Sequence, residues 1–347
     1  MKKLVKIILL ALIFIVILFL AAFCYLFLGP APKAKNITWG VDFSQMQAEA
    51  LKLNWKEAYL AMIEELGAKN IKLHTQWDWV EGTKDDYYFD DIDWQIKKAE
   101  EKDVKIIYVV GMKTGRWPEC HIPDWAKDLS KDQQQEEVLK YIEKVVLRYK
   151  DSGVISFWQV ENEPLFDFGK CPPWYYDGGE FLKKEVELVK SLDPSREIII
   201  SDSGELSWWT GAAKIGDMVG TTMYRKAWVN INNNFGFSGN FYPTFYGTYP
   251  LPPVFYWRKA QLIKNLFGKK VICIELQAEP WAEKPFYDIF TEEQQKTMDL
   301  EQFKSNVKYA KNMGLDTFYF WGAEWWYWMK EEQGSPEIWN EAQKLFN

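Results

Sequence analysis

Short apolar, β-rich runs alternate with longer helix-patterned stretches over most of this chain. Residues 37–42, 70–74, 104–110, 155–163, 197–202, 217–224, 270–275 and 317–321 read as strands. Between them, helices are expected near 47–66 (ending at Gly67), 91–102, 131–150, 179–192, 207–214, 254–267 and 296–313. Strand and helix in turn is the pattern of a parallel sheet with helical crossovers, and eight such units favour a closed (β/α)8 TIM barrel over an open doubly wound sheet. One interval breaks the rhythm. Residues 230–253, rich in Asn, Gly, Pro and aromatics, are too many for a tight connection and read as a functional loop after the sixth strand, on the face where such barrels keep their sites.

The first segment obeys a different rule. Met1-Lys-Lys-Leu-Val-Lys6 is basic, and residues 7–28 are unbroken apolar sequence ending at Gly29-Pro30. That run is long enough to span a bilayer as a helix and longer than a signal-peptide core, and no small-x-small cleavage site follows it. Leu20-Ala-Ala-Phe-Cys24 only faintly resembles a lipoprotein signal, because Phe23 stands where a small residue belongs. The reading is an N-terminal transmembrane helix over 1–29, with the leading lysines inside and the remainder outside the cytoplasm; secretion after signal cleavage is the alternative. Residues 30–36 then form a linker and 37–347 one catalytic domain.

Composition narrows the function. Net charge is −7, so a nucleic acid partner is not expected. With only His74 and His121 present, histidine-rich metal barrels are nearly excluded, and no glycine-rich phosphate loop occurs. Aromatic content is 17% with 19 Trp, more than a core needs; indole, with an apolar face and a polar edge, suits the faces of sugars. Cys24 lies in the apolar segment and Cys273 in a strand, whereas Cys120 and Cys171 fall in segments after neighbouring strands and either pair outside the cytoplasm or stay free.

Two glutamates then stand out. Trp158-Gln-Val-Glu-Asn-Glu-Pro164 and Lys270-Val-Ile-Cys-Ile-Glu275 are apolar runs that stop on a carboxylate, although Glu is depleted in strands. Carboxylates on facing strand ends are the equipment of glycoside hydrolysis. An Asn-Glu-Pro after the fourth strand with a Glu on the seventh resembles clan A glycoside hydrolases, the (β/α)8 retaining enzymes, over about residues 37–330. The resemblance implies Glu163 as acid/base and Glu275 as nucleophile. It also implies Tyr224 as a contact of the nucleophile, Asn162 as a partner of the sugar 2-hydroxyl, and Trp321 as the floor of the cleavage subsite. Where many members carry an arginine on the second strand, this chain has Lys72, which keeps the charge but not the planar fork.

Further expected sugar contacts are Arg116, Trp117 and Glu119 after the third strand, Trp77 and Trp79 after the second, His74 at a strand end, and Glu324, which either binds hydroxyls or caps a loop. Glu161 reads as a buried network residue beside Glu163, and Glu279 as a loop residue. No metal or organic cofactor is implied, since carboxylates carry the chemistry, and the expected partners are a carbohydrate substrate and, through the N-terminal helix, a membrane. The expected activity is a retaining β-glycosidase or endo-glycanase. A transglycosylase on surface polysaccharide and a non-catalytic carbohydrate-binding barrel are the alternatives.

Overall fold

The computed structural model describes residues 2–230 and 244–346. Ten strands are present among them: β1 Thr38–Phe43, β2 Asn70–His74, β3 Lys105–Val110, β4 Ile155–Val160, β5 Glu197–Asp202, β6 Met218–Met223, β7 Lys226–Asn230, β8 Thr244–Thr248, β9 Lys270–Gln277 and β10 Thr317–Trp321. Eight close into a parallel barrel in the order β1-β10-β9-β6-β5-β4-β3-β2. This is the (β/α)8 barrel that the alternation of elements predicts, and its consecutive units lie side by side as short right-handed crossovers require.

Inside the barrel, Ile107, Ile199, Met218, Ile272, Ile274 and Tyr319 form an apolar plug. Tyr319 fits only because β1 carries Gly40: a Cβ there would stand 2.5 Å from the Tyr319 ring. Outside, a much larger core joins the strands to the helices. The helix Lys131–Tyr149 starts on a capping box made by Ser130 and Gln133 and ends with Arg148 in its last turn, so both of its ends are electrically matched. The helix Pro253–Phe267 begins with proline and stops at Gly268, whose φ of 70° is left-handed.

Two connecting segments are built differently from the sequence expectation. The helix expected over 47–66 is broken into Gln45–Ala50 and Trp55–Leu60, the latter running into a π turn at Ala61–Glu65. Lys52 takes a left-handed φ of 60° and Asn54 caps a fresh start. The loop after the sixth strand contains an antiparallel hairpin, β7 against β8; the centre of that loop, 231–243, lies outside the described residues.

The helix Lys2–Phe27 is long and apolar enough to cross a membrane, as a signal sequence or an anchor would be. Its end is seated on the barrel. Phe27 stacks on Phe255 at 5.2 Å between ring centroids, and the Arg258 guanidinium lies 4.4 Å over Tyr25. Cys120 and Cys171 form a disulfide across the segments that follow β3 and β4.

Candidate active site

β9 does not stop on Glu275 but runs two residues further, to Gln277. A register shift between Thr221 and Thr222 sets Thr222 opposite Glu275, so the two side chains leave adjacent strands together. β4 ends at Val160, and the chain then turns through left-handed conformations at Glu161 (φ 61°) and Glu163 (φ 44°). Non-glycine residues rarely hold such angles, and they persist where surrounding contacts enforce them. Here Ser201 Oγ accepts from the Glu163 amide at 2.6 Å, and Lys113 Nζ donates to the carbonyls of Glu163 (3.0 Å) and Phe166 (2.9 Å).

Glu275 is almost wholly buried and is gripped at both oxygens. Lys72 Nζ donates to Oε1 at 3.0 Å, and Tyr224 Oη donates to Oε2 at 3.0 Å. Lys72 also meets Asp42 Oδ2 at 3.1 Å, and His74 Nε2 lies 2.8 Å from both Asp42 oxygens. Burial alone would discharge Lys72, yet the charges of Asp42 and Glu275 outweigh it and raise its pKa. Asp42 is likewise penalised by burial, but His74 and then Lys72 overcome this and hold its pKa down at about 2. Lys72 thus faces the site as the register of β2 requires.

Glu163 sits in the opposite setting. Its pKa is pushed well up, first by burial and then by the negative charge of Glu275; Lys113 and the hydroxyl of Thr222, which donates to Oε1 at 3.0 Å, offset only part of this. Lys113 itself is pushed down by burial. Glu119 is raised to about 7, chiefly by burial against the pull of Lys113, with Glu275 adding to the rise. Asn162 is buried beside this turn, its side-chain oxygen accepting from Gln159 Nε2 at 3.0 Å.

Glu161 accepts from the amides of Met112 and Lys113 and from Tyr175 Oη, and is hydrogen-bonded to Glu185, a buried network that supports the turn. A Cβ on Gly111, whose φ is 132°, would collide with the Glu161 carboxyl at 2.3 Å, so glycine makes room for it.

Several expected sugar contacts are placed differently. Trp77 is fully enclosed: its indole N–H donates to Glu81 at 2.8 Å and its ring packs on Tyr141 and Trp125. The single-turn helix Trp77–Val80 rotates it into the core and leaves Trp79 outside. Arg116 is buried with both terminal nitrogens engaged, one by Glu279 and one by Glu324 at 3.3 Å. Glu324 has no exposed surface and also accepts from the Ser44 amide at 2.5 Å, which is the capping role rather than the hydroxyl-binding one. With one cation between two carboxyls, Glu324 is raised by burial to about 8 in spite of Arg116. The Arg116 guanidinium also lies 4.0 Å over the Trp321 ring, so a sugar reaching Trp321 meets its other face or its edge. His74 is turned toward Asp42 and Thr114 O and stands edge-on to Trp321.

Trp117 is exposed and opens an aromatic run that ends on the Glu275 contact: Trp117 to Phe168 (6.3 Å), Phe168 to Trp281 (6.4 Å) and Trp281 to Tyr224 (4.7 Å). Asp42, Thr222, Phe168 and Trp281 were not distinguished by the sequence. Asp42 had one signal, an acid inside an otherwise apolar strand. No group of three or more His, Cys, Asp or Glu able to hold a metal occurs among the described residues.

The sequence model described as glycosyl hydrolase family 10 matches residues 31–230. Xylanase 10B from Thermotoga maritima has a similar fold, with TM-score 0.58 at 14% identity, covering 90% of this chain and 95% of that one. Xylanase 10B from Thermotoga petrophila, solved in complex with xylobiose, gives 0.53 at 17% identity and covers 83% and 82%. A cold-adapted β-galactosidase from Rahnella gives 0.58 at 10% identity, covering 92% of this chain and 57% of that one. No curated protein matches the sequence.

Proposed function

Since the chain belongs to glycosyl hydrolase family 10 and is an O-glycosyl hydrolase, we propose that it is an endo-acting β-glycanase of the xylanase type, working with retention through a covalent glycosyl-enzyme. The observation that carries this reading is the unequal setting of two neighbouring carboxyls. Glu275 is bound at both oxygens by Lys72 and Tyr224, whereas Glu163 is pushed toward its protonated form by burial and by Glu275. A pair of carboxyls driven apart in this way is the acid/base and nucleophile assignment of a retaining glycosidase. The xylanases of similar fold support the substrate class.

In the first step a Glu275 oxygen attacks the anomeric carbon as the bond to the leaving oxygen breaks, and Glu163 gives its proton to that oxygen. Glu163, now ionised, takes a proton from water, whose oxygen attacks the same carbon and frees Glu275. Tyr224 and Lys72 keep the Glu275 oxygens aligned through both steps. Asn162 binds the sugar 2-hydroxyl, and Trp117, Phe168 and Trp281 offer aromatic faces to the glycan. The barrel works outside the cytoplasm, held by the N-terminal helix; the basic start of that helix and the Cys120–Cys171 disulfide support this placement.

The test is hydrolysis of β-1,4-xylan and a panel of other β-glycans by the full chain in detergent, with NMR of the first-formed anomer. The expected result is a β-anomer first, with turnover abolished in Glu275→Gln and azide restoring turnover of an activated aryl glycoside in Glu275→Ala. An inverted first product, or a Glu275→Gln enzyme of undiminished rate, rejects the assignment.

A further inference from the structure

A cavity of about 730 Å³ lies where β1 and β10 begin, at the end of the barrel opposite Glu163 and Glu275. Trp39, Phe303 and Val307 form its apolar base, between the residues that lead into β1 and the helices Leu300–Ala310 and Glu337–Phe346. Its rim is basic. Lys33 and Lys35 stand on the linker, and Lys304, Lys308 and Lys311 follow at the i, i+4, i+7 spacing of one helix face. All five are exposed.

Exposed helix lysines elsewhere have a carboxylate beside them, as Lys98 has Glu101 at 2.6 Å, Lys140 has Glu136 at 2.8 Å and Lys183 has Glu180 at 2.6 Å. At the cavity, Lys304 is paired with Glu301 at 2.9 Å, but Lys33, Lys35, Lys308 and Lys311 make no ion pair among the described residues. Glu341, the acid that lines the cavity, is held by Lys344 at 2.7 Å. Like charges gathered around one opening repel, and an anion entering between them removes that cost. The lining suits a phosphodiester on an amphiphile, with ammonium groups for the phosphate and an apolar base for the glycerol and its first methylenes.

Position selects a bilayer over a soluble polyanion. Six residues separate Lys33 from Phe27, where the apolar helix ends, a reach of at most about 20 Å when fully extended. The path between them is tied to the barrel. Phe27 is stacked on Phe255, and Pro32 O lies 3.0 Å from where a Cβ on Gly314 would stand. The cavity is thereby kept beside the point at which the chain leaves a membrane. We infer that it takes the phosphate of an anionic phospholipid and docks the base of the barrel on the bilayer, with the mouth holding Glu163 and Glu275 turned to the medium. The inference rests on the reading of the N-terminal helix as an anchor.

The experiment reconstitutes the full chain into nanodiscs of phosphatidylcholine, with or without phosphatidylglycerol, and follows backbone hydrogen exchange at residues 33–36. Their amides donate to no backbone acceptor among the described residues, so their exchange reports cover by headgroups. Phosphatidylglycerol is expected to slow them about tenfold. Lys308→Gln with Lys311→Gln is expected to return most of that, at roughly fivefold per lysine near an anionic surface. Both lysines are exposed, and a thermal melt checks that the fold is kept. Lys140→Gln with Lys183→Gln lowers the charge equally elsewhere and is expected to leave the slowing in place. Equal exchange in the two bilayers overturns the inference, as does a slowing that the cavity pair keeps or that both pairs lose alike. Slowing by soluble glycerol phosphate in phosphatidylcholine discs, with none from phosphatidylglycerol, also overturns it and assigns the cavity to a soluble phosphodiester. If the chain does not stay with the discs, the anchor reading falls by itself, and co-sedimentation with vesicles of the two compositions decides. Binding that needs phosphatidylglycerol and drops about thirtyfold in the cavity pair supports docking. Absent binding, or equal binding by the cavity pair, overturns it.

Discussion

Across the barrel mouth, the side built from β1, β2 and β9 and the side built from β4 and the helix Glu180–Leu192 both bury carboxyl groups, but in opposite company. On the first, Asp42 and Glu275 share the ammonium of Lys72, and Asp42 adds His74. On the second, the nearby cation Lys113 gives its protons to two carbonyls, and Glu161 and Glu185 are left to hydrogen-bond each other. Burial acts on all of them in the same direction. It wins on the second side, where Glu163 and Glu185 are pushed well up, and loses on the first, where Asp42 is held at about 2. The placement of cations, rather than depth, decides which carboxyls are charged. Arg116 marks the limit: serving both Glu279 and Glu324, it leaves the second raised to about 8.

Removing the shared cation breaks this contrast most severely. Lys72→Met leaves Asp42 and Glu275 buried as neighbouring negative charges, and breaking such a pair costs roughly 3–5 kcal/mol of stability, measurable by urea unfolding. Glu275 also loses the donor at Oε1 that keeps it aligned, so kcat is expected to fall; an undiminished kcat contradicts the argument. On the other side, Glu163→Gln removes the proposed general acid, and kcat/KM on polysaccharide is expected to fall roughly 10²–10⁴-fold, with the alkaline limb lost. Aryl glycosides with good leaving groups need no acid and should lose far less, a difference that steady-state kinetics reads directly.

The two sides also respond to pH with opposite sign. Glu185 and Glu161 have folded pKa values raised above the unfolded ones, so their contribution is complete below the usual carboxylate range and is lost as pH rises through the folded values. Asp42, held at about 2, contributes above its ordinary value and loses that as pH falls toward 2. Thermal melts should therefore decline from mildly acidic to mildly alkaline buffer, and Glu185→Gln, which keeps the neutral form at every pH, should flatten the decline. A slope unchanged by that substitution removes Glu185 from the account. The smallest effect is expected of Thr222→Val. Loss of its hydroxyl withdraws about 1 kcal/mol of support from ionised Glu163 and moves the alkaline limb up by less than about one pH unit.

The barrel was legible because each apolar run and each helical stretch reports on itself. Glu163 and Glu275 were legible for the same reason, since an acid at the end of an apolar run is a local anomaly. Asp42 and Thr222 act through the register in which β1 pairs with β2 and, after a shift, β6 pairs with β9, and neither strand's own sequence announces that register. Trp77 and Trp79 read alike as candidates; one turn of helix sends the first into the core and the second to the surface. Arg116 and Glu324 have the right chemistry for sugars, but 208 residues apart in sequence they find each other first. Pairing of this kind depends on three-dimensional proximity, which the order of residues does not carry.

The bond between Cys120 and Cys171 turns part of the chain into a closed loop. Their separation is 51 residues, and the enclosed stretch contains the helix Lys131–Tyr149, all of β4 and Glu163. A protease that cuts the surface turn before that helix opens the loop without releasing either end, so the cut protein remains one covalent piece with the acid still threaded between its neighbours. Wherever a protease reaches that turn, the ring makes the first nick survivable.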